Sequence, residues 1–231
     1  MASKEITTVA VIGVSRGIGK ELVKQLAELE DSQVITSIRL TRTDLEERPN
    51  VKFITLDITN ESSVTEAVSG VSELDILIIN AAMGSNDTLL GTSSDDLFSY
   101  LNTNVVGPSR VIIAFLLALL AKQTRKIIVI SSTLGSNQLE QGKRTGLNGP
   151  YSVSKAALNM LANALSLHTS FLTHCWLILA FYLIGNCPYL PCSSRMLIDD
   201  LMFTNSHNMH HRQTDFEFTN GYDFHSLPST N

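Results

Sequence analysis

The chain has 231 residues and a formal net charge of −5 at pH 7. Its length suits one α/β domain with a sizeable hydrophobic core. The acidic balance excludes the broad positive surface that binds nucleic acid or an anionic membrane, so we expect a small-molecule partner. Three cysteines, all late in the chain, match no common zinc spacing and suit a reducing compartment. This pattern predicts a cytoplasmic protein with no metal site.

A short apolar run, Thr7 to Val14, leads through a glycine turn into a helical pattern. In the order strand, turn and helix, glycines let backbone N–H groups approach a pyrophosphate, and the helix presents its positive N-terminal end to that anion. The alternative is a structural turn with no ligand. The spacing, Gly-x3-Gly-x-Gly, differs from the Gly-x-Gly-x-x-Gly dinucleotide fingerprint. The turn comprises Gly13, Val14, Ser15, Arg16, Gly17, Ile18 and Gly19.

The end of the second predicted strand, Gln33 to Leu40, bears on the choice of nucleotide. A fold that selects NAD often carries an acid there to bind the ribose 2′-hydroxyl. Here the end carries Arg39, with Arg42 nearby, and Arg16 lies in the glycine turn. Because guanidinium groups pair well with phosphate, these residues favour NADP over NAD. Solvent-facing arginines without a ligand are the alternative.

Two further strands, predicted over Val51 to Leu56 and Leu74 to Ile79, are each followed by a polar residue. In an open parallel sheet, ligands sit outside the carboxyl ends of the strands. Asp57 and Asn80 are therefore expected where an adenosine would lie. As isolated residues, both would more often be loop caps.

A helix is predicted to start at Ser94, and the stretch from Asn102 to Pro108 is expected to interrupt or bend it. The apolar run that follows, Val111 to Ala121, is too short to span a bilayer, which takes roughly 17–25 residues. We expect this helix to be buried against the sheet or to lie at a subunit contact.

A fifth strand, Lys126 to Ile130, is apolar after its lysine, as expected for a strand that is covered on both faces. It delivers Ser131 and Ser132 to the carboxyl edge of the sheet. Alternating apolar strands and helical patterns predict an α/β fold with a doubly wound parallel sheet.

Tyr151 and Lys155 stand four residues apart at the start of another predicted helix. Side chains with this spacing share one helix face, so the phenol and the ammonium can point into one cleft. A nearby cation favours phenolate, which would lower the pKa of Tyr151 from its ordinary value of about 10 and make it a proton donor near neutral pH. An ordinary amphipathic surface is the alternative explanation of the spacing.

Taken together and in order, these motifs resemble the short-chain dehydrogenase/reductase family over residues 1–167. Within that family, the stretches around Ser132 and Tyr151 are similar to the sniffer and C-factor-like carbonyl reductases and to norsolorinic acid ketoreductase-like proteins. Met83 stands where the family usually has glycine. The motifs that carry the resemblance are Gly13-x3-Gly17-Ile18-Gly19, Asp57, Asn80-Ala81-Ala82, Asn104-Val105-Val106-Gly107, Ser131-Ser132 and Tyr151-x3-Lys155.

The resemblance implies a Rossmann fold and the NADP-dependent reduction of a ketone or aldehyde to an alcohol. Ser132 would hydrogen-bond the substrate carbonyl, Tyr151 would protonate the developing alkoxide, and Lys155 would bind the nicotinamide ribose. Asn104 would bend its helix and hold a water in the proton relay. The family also includes dimers that use the helices around Val111 to Ala121 and Lys155. The implied cofactor-binding residues are Gly13, Ser15, Arg16, Gly17, Ile18, Gly19, Arg39, Asp57, Ile58, Asn80, Ala81, Tyr151 and Lys155.

Residues 168–231 do not match the family, whose sixth and seventh strands are expected to be lacking here. The segment holds an apolar stretch, Phe171 to Ile184, that is too short for a membrane anchor, followed by a polar tail with His207, His210 and His211. An altered transcript or gene model would explain the abrupt change in composition. The alternative function is therefore a catalytically inactive nucleotide-binding relative or an aberrant isoform.

Overall fold

Residues 6–39, 47–140, 148–168 and 174–179 are described by the computed structural model. They contain a six-stranded parallel sheet in the order β3-β2-β1-β4-β5-β6, which is the strand order of a doubly wound dinucleotide-binding fold. The predicted fold class is confirmed. The strands are β1 (Thr7–Ile12), β2 (Ser32–Ile38), β3 (Val51–Thr55), β4 (Ile76–Ile79), β5 (Lys126–Ser131) and β6 (His174–Leu179).

Helices cover both faces of the sheet, which explains why β4 and β5 are buried along their whole length. Leu22 and Val23 pack on one face, and Val64, Phe115 and Leu158 pack on the other. The helices are α1 (Gly17–Leu26), α2 (Glu61–Val68), α3 (Ser94–Leu101), α4 (Gly107–Leu120), α5 (Asn137–Glu140) and α6 (Gly149–His168).

The strand order reverses between β1 and β4, which lie side by side with Val9 opposite Ile76. From β1 the chain moves outward to β2 and β3, and it returns to the other side of β1 at β4. A crevice therefore opens outside the carboxyl ends of these two strands. Gly13 and Asn80 are the residues that follow them.

A π-helical turn, Asn102–Val106, joins α3 to α4, so the predicted irregularity lies where the sequence placed it. By length and composition alone, the continuous helical run Ser94–Leu120 is the one described segment long and apolar enough to cross a membrane, and 44% of its most apolar window is buried. Val111, Phe115 and Leu119 are buried in the core on the sheet. Packing in the core thus explains much of the apolar composition of α4.

The sixth strand corrects the expectation that the sheet lacks one. β6 pairs in parallel with β5, with Lys126 opposite His174 and Ser131 opposite Leu179. This strand lies within the segment that does not match the family pattern. Strand pairing is made by backbone groups, so a short apolar run can occupy a sheet edge without the family's sequence. Three expectations concern residues outside the described ones. They are the lack of a seventh strand, the role of Arg42 and the role of the three late histidines.

Candidate active site

The glycine turn follows β1 and is held from two sides. Gly13 has φ of +92°, a conformation that side chains rarely allow, and its N–H donates to the Ser37 hydroxyl at 2.9 Å. The side-chain amide of Asn80 donates to the Gly13 carbonyl at 2.5 Å. A Cβ on Gly13 would collide with the backbone of Ala81. The turn is therefore fixed against the end of β4.

The turn is open at Gly17. Gly17 has φ of +59°, and no atom lies within 4 Å of the position that its Cβ would take. α1 begins at this residue, and the preceding Arg16 makes no side-chain capping hydrogen bond to it. Gly19 is close-packed against the Gly13 carbonyl. α1 thus begins beside open space at Gly17, and the unpaired N–H groups of a helix N-terminus suit a phosphate; Ser15 and Arg16 are exposed there and Ile18 is half-buried.

Arg39 and Asp57 lie near each other beyond the ends of β2 and β3. The Asp57 carboxylate accepts hydrogen bonds from the Thr59 hydroxyl at 2.7 Å and the Thr59 N–H at 2.9 Å. These bonds, opposed by partial burial and assisted by the Arg39 guanidinium, hold the pKa of Asp57 below its ordinary value. The carboxylate therefore caps its own loop, as the alternative explanation of this residue predicted. The neighbouring Ile58 side chain is buried and packs against Gly107.

Ser132, Tyr151 and Lys155 come together at the carboxyl edge of β5. Ser132 hydrogen-bonds the Tyr151 side chain, and its hydroxyl also accepts from the N–H of Leu134 at 3.2 Å. The Lys155 ammonium lies 5.6 Å from the centroid of the Tyr151 ring and donates to the Ile130 carbonyl at 2.8 Å. The structure therefore brings the three predicted catalytic side chains into one cluster.

The predicted lowering of the Tyr151 pKa is wrong for this arrangement. Burial raises the pKa of Tyr151, and the hydrogen bond with Ser132 offsets only part of that rise. The Lys155 ammonium faces the ring and is directed to the Ile130 carbonyl, so it does not pair with the phenol oxygen. Burial also lowers the pKa of Lys155 to about 8. Each group is thus shifted toward its neutral form.

Asn104 lies in the π-helical turn and is fully buried. Its carbonyl oxygen accepts from the N–H of Met83 at 2.9 Å, and its amide donates to the Met83 carbonyl at 2.9 Å and to the Ser154 hydroxyl at 2.8 Å. The side chain therefore ties the chain after β4 to α6. The predicted water-holding role stays a prediction.

Sequence reasoning missed several residues that support this site. Gly84 lies so close to Tyr151 that a Cβ there would be 3.0 Å from Cδ2 of the ring. Asn159 accepts from the Ser131 hydroxyl at 2.5 Å and donates to the Gly135 carbonyl at 3.2 Å, which ties α6 to the end of β5. Gly84 directly follows Met83, the position at which the family usually has glycine. This glycine was the one sequence signal that pointed to the contact with Tyr151.

In the part of the chain that the structure describes, no group of three or more His, Cys, Asp or Glu side chains is arranged to hold a metal ion.

The sequence matches a known family. The model of the short chain dehydrogenase family matches residues 7–170. An uncharacterized oxidoreductase of Schizosaccharomyces pombe is 35% identical over 167 residues, which cover 68% of this chain and 65% of that protein. The chain thus spans about two thirds of the length of the curated relatives it matches.

Solved structures give the same answer. The NADPH-bound carbonyl reductase from chicken fatty liver superimposes with a TM-score of 0.67 and 27% identity, over 77% of this chain and 76% of that one. A Caenorhabditis elegans protein described as the carbonyl reductase Sniffer superimposes with a TM-score of 0.66 and 25% identity, over 71% of this chain and 80% of that one. This chain belongs to the short-chain dehydrogenase/reductase family.

Proposed function

We propose that this protein is an NADP-dependent oxidoreductase that reduces a ketone or aldehyde to an alcohol. The observation that carries the proposal is the cluster at the edge of β5, in which Ser132 hydrogen-bonds Tyr151 beside the buried Lys155. Two hydroxyl groups that are linked in this way can both hydrogen-bond to one carbonyl oxygen. The similarity to an NADPH-bound carbonyl reductase supports the same chemistry.

In this mechanism the chain's own residues polarise and protonate the substrate. The reduced nicotinamide, when bound, supplies a hydride to the carbonyl carbon. Ser132 donates a hydrogen bond to the carbonyl oxygen, and Tyr151 gives its proton to that oxygen as negative charge develops there. Because burial raises the pKa of Tyr151, its hydroxyl keeps the proton at neutral pH until the transfer. Lys155 would bind the nicotinamide ribose, and its ammonium places a positive charge beside the Tyr151 ring.

The residues present fit a dinucleotide. A Cβ on Gly13 would collide with Ala81, the position beside Gly17 is open, and α1 starts there without a side-chain cap. Arg16 in the glycine turn and Arg39 just beyond the end of β2 are both exposed. Guanidinium groups at these positions suit the 2′-phosphate of NADP, which we propose as the preferred cofactor.

We also propose a homodimer and a cytoplasmic location. Ile113 and Leu117 on the outer side of α4 are 67% and 81% exposed, and Val153 and Met160 on α6 are 41% and 67% exposed. We base the dimer on these exposed apolar side chains, because a contiguous apolar patch marks an association surface. Fractionation that recovers the chain with the membranes would contradict the location.

The experiment is NADPH oxidation by the full chain with a panel of small aldehydes and ketones. Turnover that falls at least about 100-fold in Tyr151→Phe and less in Ser132→Ala supports the proposal. Ser69→Ala is the matched control, because that hydroxyl bonds only within the end of α2. No NADPH oxidation with any compound would overturn the enzyme function.

The second candidate is a nucleotide-binding relative without turnover, favoured by the family match, which covers residues 7–170 and not the segment that follows them. Thermal unfolding with and without NADPH separates the two. A ligand at about one hundred times its Kd stabilises by roughly 2.7 kcal/mol if it binds only the folded state. A clear rise in Tm without oxidation of NADPH would favour the second candidate.

A further inference from the structure

A polar cluster that no motif predicted lies next to the catalytic tyrosine. Tyr100 on α3 is 2% exposed, and its hydroxyl lies 2.9 Å from the Ser85 hydroxyl and donates to the Asp87 carboxylate at 3.1 Å. Ser85 also donates to this carboxylate. A buried phenol needs such partners, because an unpaired hydroxyl in the interior is destabilising. The cluster therefore fixes the loop that follows β4 onto α3.

The same loop, residues 83–89, contacts the first turn of α6 at three points. Gly84 lies against the Tyr151 ring, with a Cβ there placed 3.0 Å from Cδ2. The carbonyl of Asp87 accepts from the N–H of Gly149 at 3.1 Å. Leu89 packs so closely on Gly149 that a Cβ on the glycine would be 2.7 Å from Cβ of the leucine. Segment 83–89 thus forms a wall that touches both the catalytic ring and the start of its helix.

Two residues about one helical turn apart hold this wall. Asn104 binds both backbone groups of Met83 at its beginning. Tyr100 binds Ser85 and Asp87 further along. Without the second attachment, the part of the wall that lies on Tyr151 would be held only from the Met83 end and from α6 itself.

We propose that Tyr100 and Asp87 are positioning residues that hold segment 83–89 against Tyr151 and so set the orientation and hydration of the catalytic phenol. The catalytic consequence rests on the proposed function, but the contact with the ring does not. The groups that face Tyr151 from its own helix and from β5 are the Lys155 ammonium and the Ser132 hydroxyl. The wall contributes burial to this environment, and the Asp87 carboxylate is the charged group on it.

The first test is the ionisation of Tyr151, followed by tyrosinate absorbance in the full chain. Each protein is compared with the same protein carrying Tyr151→Phe, so that the difference isolates this one phenol. In Tyr100→Phe the wall loosens and water reaches the ring, so the pKa of Tyr151 falls toward the ordinary value of about 10. An unchanged pKa would overturn the proposal, and this readout does not depend on turnover.

The second test uses variants that separate positioning from general stability. Ser99→Ala is the matched control, because that hydroxyl bonds only to the Asp95 carbonyl in α3. Tyr100→Phe is expected to lower kcat about tenfold while the KM for NADPH stays unchanged. Equal kinetic effects of Ser99→Ala and Tyr100→Phe would contradict the proposal.

Two further comparisons test whether Tyr100 and Asp87 act through one link. Asp87→Asn keeps an oxygen acceptor for Tyr100 and should restore most of the kcat that Asp87→Ala loses. The double variant Tyr100→Phe, Asp87→Ala should be no slower than the slower single variant, because both changes break one link. Fully additive losses would overturn the shared role.

If Tyr100→Phe fails to fold, Ser85→Ala removes another hydroxyl of the cluster without altering the core and should lower the Tyr151 pKa in the same direction.

The two proposals fail in different ways. A wild-type chain that turns over no carbonyl compound refutes the proposed function. The Tyr151 titration of the same chain still decides whether Tyr100 and Asp87 position the ring.

Discussion

The Lys155 ammonium donates a hydrogen bond to the Ile130 carbonyl at 2.8 Å, although the lysine is only 2% exposed. One backbone oxygen replaces little of the water that the ammonium loses, and burial lowers the pKa of Lys155 to about 8. The folded protein therefore bears a cost for keeping this group charged. That cost makes stability depend on pH.

The free energy of unfolding is expected to rise between about pH 8 and pH 10.5. Below this window Lys155 is charged in both states, and the full cost is present. Within it the folded lysine loses its proton while the unfolded lysine, with its ordinary pKa of 10.5, keeps it. The shift corresponds to about 3 kcal/mol in total.

Urea unfolding at a series of pH values tests this prediction. Lys126, whose pKa is also lowered by burial, adds a rise of the same sign. The contribution of Lys155 is therefore the difference between the wild type and Lys155→Met. Measurements should stop near pH 10. Above that pH the unfolded Tyr151 loses its proton while the folded Tyr151, with its raised pKa, keeps it, which lowers the free energy of unfolding. Parallel curves for the two proteins would show that Lys155 makes no such contribution.

The two strained glycines of the turn should respond differently to alanine. Gly13→Ala meets the backbone of Ala81 at φ of +92°, so we expect a loss of about 2 kcal/mol or more of stability. Gly17→Ala meets open space at φ of +59°, and it should cost only about 1 kcal/mol. Its methyl group points to where a phosphate would approach, so NADPH affinity should fall at least about tenfold. Denaturation and nucleotide titration of both variants make the comparison.

Removing the guanidinium of Arg39 should change nucleotide preference. Arg39→Ser is expected to weaken NADPH binding about tenfold or more and to leave NADH binding unchanged, since a hydrogen bond to a charged group contributes about 1.5–3 kcal/mol. Lys24→Ser, on the exposed side of α1, makes the same change of net charge away from the crevice. An equal loss of affinity for both nucleotides would show that Arg39 does not contact a 2′-phosphate.

A charge on the outer face of α4 should break the proposed dimer. Leu117 is 81% exposed in the single chain, so glutamate fits there without disturbing the core. Light scattering during size-exclusion chromatography should give a dimer for the wild type and a monomer for Leu117→Glu. Ile6→Glu, at a residue that is 53% exposed before β1, is the control and should stay dimeric.

The sequence predicted the sheet well for a physical reason. Strands buried on both faces must be apolar along their length, and β1, β4 and β5 therefore stand out as continuous runs. The glycine turn was equally visible, because a backbone conformation such as that of Gly13 leaves few choices of residue.

What the sequence could not predict depends on contacts between distant parts of the chain. The direction of the Lys155 ammonium is set by a carbonyl 25 residues away. The wall beside Tyr151 depends on Tyr100 and Asp87 meeting across a loop, and no local pattern marks either residue. β6 was missed because it was judged against a family pattern, whereas backbone pairing requires only a short extended run.

That pairing has a consequence for the solubility of the protein. Every residue of β5 is buried, so without a neighbour its edge would present unpaired backbone groups along an apolar strand, the kind of edge at which chains aggregate. β6 covers that edge through parallel backbone pairing. Because the pairing bonds are made by backbone groups, covering the edge of β5 requires an extended segment after α6 more than it requires a particular sequence.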